Sequence, residues 1–266
     1  MKKVLTIAGS DCSGGAGIQA DLKTFSAHGV YGMSVITAVV AENTSRVIDI
    51  QEVRPDIIEK QLDAIFEDIE VDAIKVGMLS GREGMLAVSR KLKEYTPSKV
   101  VIDPVMLAKG GQALMQENAL DLFIRELVPS AYILTPNIPE AEALTQMKLE
   151  AEEDFKKAAV CIKSMGAENV LIKGGHREGD CADLFYDGKD FCYLTTKRIP
   201  TKNTHGTGCT LSSAIAANLA LGMDARHAVE KAKEYVTMAI EHSLDIGKGH
   251  GPTNHFYTLY REGLKF

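Results

Sequence analysis

The chain has 266 residues, 45% of them hydrophobic and 25% charged, enough for a sizeable core in one large α/β domain or two small ones. A formal net charge of −6 and a pI of about 5.7 provide no basic footprint for nucleic acid. No apolar run is long enough to span a bilayer, the N-terminus turns polar too early for a signal peptide, and the five scattered cysteines lack zinc-type spacing, so a cytoplasmic protein with reduced thiols is expected.

Strand signals and helical periodicity alternate along the chain. Strands are expected near residues 4–7, 34–40, 48–53, 73–76, 100–102, 131–134 and 170–173. Helices are expected near residues 18–28, 56–68, 82–94, 119–126, 140–145 and 152–165. Residues 182–186 and 191–196, joined through Asp187-Gly188-Lys189-Asp190, read as a hairpin, and two long helices follow near 210–221 and 224–243. This order predicts a mainly parallel sheet covered by helices on both faces. With no internal repeat and no linker-like shift in composition, residues 1–266 are expected to form a single domain.

The most informative stretch is Thr201-Lys202-Asn203-Thr204-His205-Gly206-Thr207-Gly208-Cys209-Thr210, which opens an apolar helix. A helix start carries unpaired N–H groups and partial positive charge, so it attracts anions. Gly206 and Gly208 lack the Cβ atoms that would keep an anionic group at a distance, and Cys209 sits where that helix end could favour a thiolate. A glycine-containing loop before an ordinary core helix would look the same. His205 reads as an oriented loop histidine rather than a catalytic imidazole.

Two further regions fall at strand ends, where open α/β sheets bind ligands. Ala8-Gly9-Ser10-Asp11-Cys12-Ser13-Gly14-Gly15-Ala16-Gly17 follows the first strand and matches neither the Walker nor the dinucleotide spacing. About a turn into the next helix, Asp21 is placed to accept from a substrate hydroxyl, or is simply a solvated first-turn carboxylate. The turns Asp103-Pro104-Val105-Met106 and Thr135-Pro136-Asn137-Ile138-Pro139-Glu140 supply hard oxygen donors of the kind magnesium prefers, in Asp103, Asn137 and Glu140. They would also serve as plain strand terminators.

In this order, the motifs resemble the ribokinase superfamily and, within it, the hydroxymethylpyrimidine/phosphomethylpyrimidine kinases of thiamine biosynthesis. The likeness runs from Val4 to about Phe256 and includes Lys75-Val76-Gly77-Met78-Leu79, Lys173-Gly174-Gly175-His176 and Gly247-Lys248-Gly249-His250-Gly251-Pro252. It implies a three-layer α/β/α fold, ATP with Mg2+, and a homodimer. By position, it implies that Gly206, Thr207, Gly208 and Cys209 form the anion hole, with Cys209 as general base. Asn137 and Glu140 match the element that organises magnesium, and Lys173 lies on the nucleotide side. Gly9, Ala16, Asp21, Met78 and Val105 match positions lining the pyrimidine pocket, and Lys109 belongs to a flap over it.

One residue departs from that pattern. Ala41-Glu42-Asn43-Thr44 carries glutamate where pyrimidine kinases of the family usually have glutamine, whose amide both accepts from the ring amino group and donates to a ring nitrogen. Two states of Glu42 would reproduce that contact: a carboxyl that keeps its proton, or a carboxylate paired with a protonated ring. The sequence favours the charged pair as the stronger arrangement. Pyrimidine kinase, pyridoxine or pyridoxal kinase, and a non-catalytic pyrimidine sensor all remain open at this point.

Overall fold

β1 (Lys3–Asp11) lies inside a nine-stranded sheet of order β3-β2-β1-β4-β5-β6-β7-β8-β9. The others are β2 (Tyr31–Glu42), β3 (Val47–Glu52), β4 (Ala73–Val76), β5 (Val100–Ile102), β6 (Ile133–Leu134), β7 (Asn169–Ile172), β8 (Cys181–Tyr186) and β9 (Phe191–Thr196). β2, β1, β4, β5, β6 and β7 run parallel, while β3, β8 and β9 join their neighbours antiparallel. The computed structural model describes residues 1–108, 111–175 and 181–263.

The central strands are largely apolar because both faces are covered, with Thr6, Lys75 and Asn169 among the buried polar exceptions. Val4, Ala73, Val101, Ile133 and Leu171 pack against α1 (Gly17–Ala27), α7 (Thr207–Ala220) and α8 (Ala225–Glu241). Their strand neighbours Leu5, Ile74, Val100, Ile102, Leu134 and Ile172 point the other way. There they meet α2 (Pro55–Phe66), α3 (Arg82–Tyr95), α4 (Leu120–Glu126), α5 (Ile138–Thr145) and α6 (Glu152–Ser164). The result is the expected three-layer α/β/α arrangement. Each fully buried aliphatic side chain contributes about 1.5–3 kcal/mol, so truncating Ile7 at the sheet centre to alanine would cost about 2–5 kcal/mol.

Most helix starts fall within two residues of expectation. Pro55 opens α2, Asp224 caps α8 through His227 N–H at 3.0 Å, and Asn137 with Glu140 forms a capping box on α5. Three departures have simple causes. β1 continues through Gly9 and Ser10 to Asp11, because after a register shift it keeps pairing with β2 as far as Asp11 with Val40. α7 begins at Thr207, since Gly206 adopts φ 75° and serves as its N-cap. α9 (Tyr257–Glu262) was not expected; none of its residues is buried, so it shows no apolar period. Among the described residues, no helix is long and apolar enough to cross a membrane.

Candidate active site

Because six strands run parallel, their carboxyl ends share one edge of the sheet. β1 leads to β2 on one side, while β4 continues on the other, so the direction of strand order reverses between β1 and β4. That crevice is where open α/β sheets take ligands. Gly9, Gly77, Met78, Asp103, Asn137 and Lys173 all lie at or just beyond strand ends along this edge.

Two glycine loops meet above it. A Cβ on Gly206 would lie 1.8 Å from the Gly15 carbonyl oxygen and 3.2 Å from Ala16 Cα, so the loop before α7 and the loop before α1 are in backbone contact. Gly17, the first residue of α1, has φ 55°, and a Cβ there would meet the Gly9 carbonyl oxygen at 2.4 Å. Thr207, Gly208 and Cys209 form the first turn of α7, where N–H groups lack partners four residues back. Two helix N-termini thus converge on one spot, with Cys209 in the first turn of α7.

The Cys209 thiol differs from expectation. It stays partly exposed at the mouth, yet protein surrounds it closely enough that burial pushes it up to about 11. Lys75 and the Gly17 N–H pull it down, and Asp21 and Asp103 push it further up. The resting group is therefore a thiol, because loss of hydration outweighs the helix end.

Asp21 also differs. It is neither solvated nor open to substrate: its exposure is 0%, and it pairs with the equally buried Lys75, whose Nζ lies 2.9 Å from both carboxylate oxygens. Thr6 Oγ1 and Ser213 Oγ donate to it at 2.6 and 2.7 Å. Burial alone would strip Lys75 of its proton, but Asp21, with Cys209 and Asp103, raises its pKa above the ordinary lysine value. Removing one partner of such a buried pair costs about 3–5 kcal/mol. Lys75 is the residue that motif reading passed over. A lysine inside the apolar run Ala73–Val76 has no solvent to reach and requires a buried partner.

Asp103 and Lys173 form a second pair, Oδ1 to Nζ at 2.7 Å, beside the start of α7. A Cβ on Gly208 would lie 3.2 Å from Asp103 Oδ2 and 3.5 Å from Lys173 Nζ. Burial lowers and Asp103 raises the Lys173 pKa, with a net upward shift that keeps the ammonium charged. Glu140 is buried, with Oε2 accepting from Asn137 N–H at 2.8 Å while Asn137 Oδ1 accepts from Glu140 N–H at 3.0 Å. Burial raises Glu140 to about 7, against the pull of Lys173 and with a further push from Asp103.

On the other side of the crevice, Met78, Ala38, Val40 and Val47 form a small apolar cluster with Val105 against it. A Cβ on Gly9 would touch Met78 Sδ at 3.1 Å, so Gly9, Met78 and Val105 share one wall. Glu42 ends β2 beside this wall, within 4.8 Å of polar atoms of Asp11 and His205. Asp11 is an anchor rather than an open ligand: it accepts from Ser13, Gly15 and Ala16 N–H at 2.7, 3.0 and 2.7 Å and from His205 Nε2 at 2.8 Å. Burial opposes its charge, but the bonds from His205, Ser13 and Ala16 hold its carboxyl well below the usual range. Glu42 is half-buried and raised to about 7, first by burial and then by the Asp11 charge, with His205 acting in the opposite sense.

Asn43 and Thr44 build the loop itself. Asn43 Oδ1 accepts from Ser45 and Arg46 N–H at 2.9 and 3.1 Å, an Asx turn. The Thr44 carbonyl accepts from His250 N–H at 2.8 Å. His250 Nδ1 also lies 2.8 Å from the Lys202 carbonyl, and Gly251 N–H donates to Asn203 Oδ1 at 3.1 Å. Residues 247–251 thereby strap the Glu42 loop to the loop before α7. Lys109 lies outside the described residues.

A layered, mainly parallel sheet with two glycine loops converging at its carboxyl edge is the architecture of ribokinase-like kinases. Within that class, the chain belongs to the phosphomethylpyrimidine kinase family, whose model matches residues 11–254. It is 48% identical over 256 residues to the hydroxymethylpyrimidine/phosphomethylpyrimidine kinase of Bacillus subtilis, covering 96% of this chain and 94% of that one. It is 51% identical over 253 residues to the thiamine biosynthesis bifunctional protein ThiED of Geobacter sulfurreducens. The match covers 95% of this chain but only 52% of that larger protein. Among solved structures, an ADP complex of Bacillus subtilis pyridoxal kinase superimposes with a TM-score of 0.91 at 40% identity, covering 97% of this chain and 99% of that one. The phosphomethylpyrimidine kinase of Clostridium difficile gives 0.82 at 47% identity, covering 90% and 100%.

Proposed function

We propose that the chain is an ATP-dependent kinase that phosphorylates 4-amino-5-hydroxymethyl-2-methylpyrimidine and then its monophosphate, to the pyrophosphate, in thiamine biosynthesis. The observation that carries this reading is the meeting of the α1 and α7 N-termini, where Gly206 closes on the Gly15 carbonyl just before Cys209, beside the wall of Gly9, Met78 and Val105 that ends at Glu42. In this reading, the N–H groups of Gly208 and Cys209 hold the transferring γ-phosphoryl group, with Gly206 and Thr207 shaping the turn. The substrate hydroxyl attacks phosphorus, the bond to ADP breaks, and the hydroxyl proton passes late to Cys209 Sγ, which must first have lost its own proton to solvent because the resting group is a thiol. A loose phosphoryl transition state needs positioning and charge neutralisation more than a strong base.

Lys173 faces the nucleotide phosphates while held by Asp103. Asp103, Asn137 and Glu140 offer the hard oxygens that Mg2+ accepts, and the donor set fits the ion. Asp103 Oδ2 is not the oxygen bonded to Lys173, whereas Glu140 already accepts from the α5 cap and fits a place in the ion's water shell. When bound, the ion would neutralise phosphate charge. Ala16 and Glu42 line the ring side, and Asp21 acts through Lys75. A homodimer in the cytoplasm belongs to the same proposal, supported by apolar Val39 and Ile48 at 53% and 61% exposure and by free thiols at Cys12, Cys161, Cys192 and Cys209.

A second reading, pyridoxal kinase, is favoured by the TM-score of 0.91 to the Bacillus subtilis enzyme of that name. Glu42 weighs against it. A carboxyl raised to about 7 offers one donor and one acceptor, the pattern that an aminopyrimidine edge complements. An ATP-consumption assay with hydroxymethylpyrimidine, its monophosphate and pyridoxal separates the readings. Turnover of pyridoxal alone would overturn the first, and turnover of none would return the chain to a pyrimidine-binding sensor.

A further inference from the structure

Thr210 stands in the first turn of α7, and its hydroxyl has more neighbours than protons. Thr210 Oγ1 lies 2.8 Å from the Gly206 carbonyl oxygen, 3.1 Å from His255 Nε2 and 3.3 Å from Thr253 Oγ1. All three side chains are buried. A carbonyl can only accept, so the shortest of these bonds claims the single Thr210 proton. The Thr210 oxygen then has lone pairs to fill, and its two other neighbours are the Thr253 hydroxyl and the His255 ring.

Burial, and then the Lys23 charge, push the His255 ring down to about 4, so near neutral pH it is uncharged and carries one proton. The network assigns that proton to Nε2. With a bare Nε2, the hydroxyls of Thr210 and Thr253, at 3.1 and 3.4 Å, would compete to donate to it, and Thr210 would be drawn away from Gly206. The carbonyl at stake is the one that starts α7. Gly206 is the N-cap, at φ 75°, and its oxygen also accepts from Thr210 N–H at 2.8 Å. Between those two residues lie Gly208 and Cys209, whose N–H groups have no acceptor within the helix.

His255 is itself held from the far side. Tyr235 of α8 donates from its hydroxyl to the His255 carbonyl at 2.8 Å, and Asn254 N–H donates to the Ala239 carbonyl of α8 at 2.9 Å. At the other end of the segment, the Gly251 carbonyl accepts from His205 N–H at 3.0 Å. Residues 251–255 thus brace the opening turn of α7 against α8.

We propose that His255 is a positioning residue for phosphoryl transfer: its imidazole donates from Nε2 to Thr210 Oγ1, which commits the Thr210 proton to the Gly206 carbonyl and so aims the Gly208 and Cys209 N–H groups at the γ-phosphoryl group. The proposal rests on that turn being the anion hole. His255 lies one side chain behind it and acts through Thr210 alone.

The tautomer can be read in the unaltered protein. With the imidazole nitrogens isotope-labelled, long-range proton–nitrogen correlation spectra separate a ring protonated at Nε2 from one protonated at Nδ1. Of the seven histidines, the pattern lost in H255Q is that of His255. The Nε2–H form is expected near neutral pH, and the Nδ1–H form overturns the proposal. Kinetics supply the second arm. H255L removes the donor and T210V the hydroxyl, and each should lower kcat by about tenfold or more with little change in KM for ATP, because misaimed donors fail the transferring group while the rest of the nucleotide is still held. T210S keeps the hydroxyl, and H255Q keeps an N–H near the place of Nε2, so both should stay near the parent. An unchanged kcat in T210V or H255L, or a loss in T210S equal to that in T210V, overturns the proposal. Should H255L not fold, the tautomer and the two Thr210 variants still decide. Adding ADP, magnesium and aluminium fluoride to the parent should shift the Gly208 and Cys209 amide resonances. If neither moves, the anion-hole reading itself fails, and His255 is left as a prop of the fold whatever its tautomer.

Discussion

Asp11 Oδ2 and His205 Nε2 lie 2.8 Å apart across 194 residues of sequence, and this bond fixes the end of β1 to the loop that opens α7. Asp11 also accepts from the backbone of its own loop, so one carboxylate sets both glycine loops at once. Its charge reaches Glu42 as well. Asp11→Asn should therefore loosen the loop before α7 and lower the Glu42 pKa together. Losing a charge-assisted bond of this kind costs about 1.5–3 kcal/mol, which thermal melting would register. A variant with unchanged melting and unchanged Glu42 titration would show that the loops are held by other contacts.

Cys209→Ala should leave ATP binding and folding near normal while turnover falls by about 10²–10⁴, the range ascribed to a positioned proton acceptor. The backbone that holds phosphate is unchanged by the substitution. Steady-state kinetics check this, and activity within twofold of the parent removes Cys209 from the mechanism.

Glu42 is raised to about 7, so it holds its proton at pH 6 and has lost it at pH 8. The protonated carboxyl presents one donor and one acceptor, as the glutamine amide of relatives would. Burial and Asp11 both oppose the carboxylate, so we propose the protonated carboxyl as the state that meets a neutral ring, in place of the charged pair expected from sequence. Hydroxymethylpyrimidine should bind more tightly as pH falls from 8 to 6, with a midpoint near the shifted value. Glu42→Gln should bind at all pH values and flatten the profile. Calorimetric titration at several pH values decides it, and parallel profiles for both proteins would place the ring contact elsewhere.

The same group bears on stability. With its folded pKa above the ordinary value, Glu42 retains a proton that the unfolded chain has lost, so folding is favoured at low pH. That contribution is lost as pH rises toward about 7. Glu140, also raised to about 7, acts in the same direction. Glu140→Gln preserves an acceptor for Asn137 N–H, so the α5 cap should survive. Its activity should fall most at low magnesium and recover in part at high magnesium. A loss that is equal at every magnesium concentration would make Glu140 a helix cap and nothing more.

Gly206→Ala should be among the most damaging single-methyl changes. Its φ of 75° disfavours a side chain, and the new Cβ would sit 1.8 Å from the Gly15 carbonyl oxygen. The loops must separate, at a cost of at least about 1–3 kcal/mol, and nucleotide binding should weaken with it. Differential scanning calorimetry with fluorescent nucleotide binding would show whether the two losses travel together.

The sheet was legible because strands buried on both faces must be apolar: residues 73–76 and 100–102 were placed with their observed bounds. α5 was legible only in part: a helix was expected from residue 140, while the Asn137/Glu140 box that starts it at Ile138 was read as magnesium donors or a strand terminator. What was not legible depends on neighbours distant in the chain. The burial that turns Cys209 into a resting thiol, and the carboxylate of Asp11 beside Glu42, arise only when residues 11, 42, 75 and 209 are brought together. Asp21 illustrates the limit: its position in the first turns of α1 suggested a contact to a substrate hydroxyl or a solvated carboxylate, and only Lys75 and Ser213 reveal it as interior.

The strap through His250 orders events during synthesis. All nine strands have emerged by Thr196, and α7 by Ala220, yet the Glu42 loop and the loop before α7 are joined through residues 247–251. A ribosome-bound chain can pair its whole sheet before its two ligand-facing loops are tied. A chain clipped after Ile246 keeps every strand but leaves Thr44 and Lys202 without the partner they share. Competence therefore arrives with the tail, and protease cleavage there should silence the protein while its far-ultraviolet circular dichroism stays nearly the same.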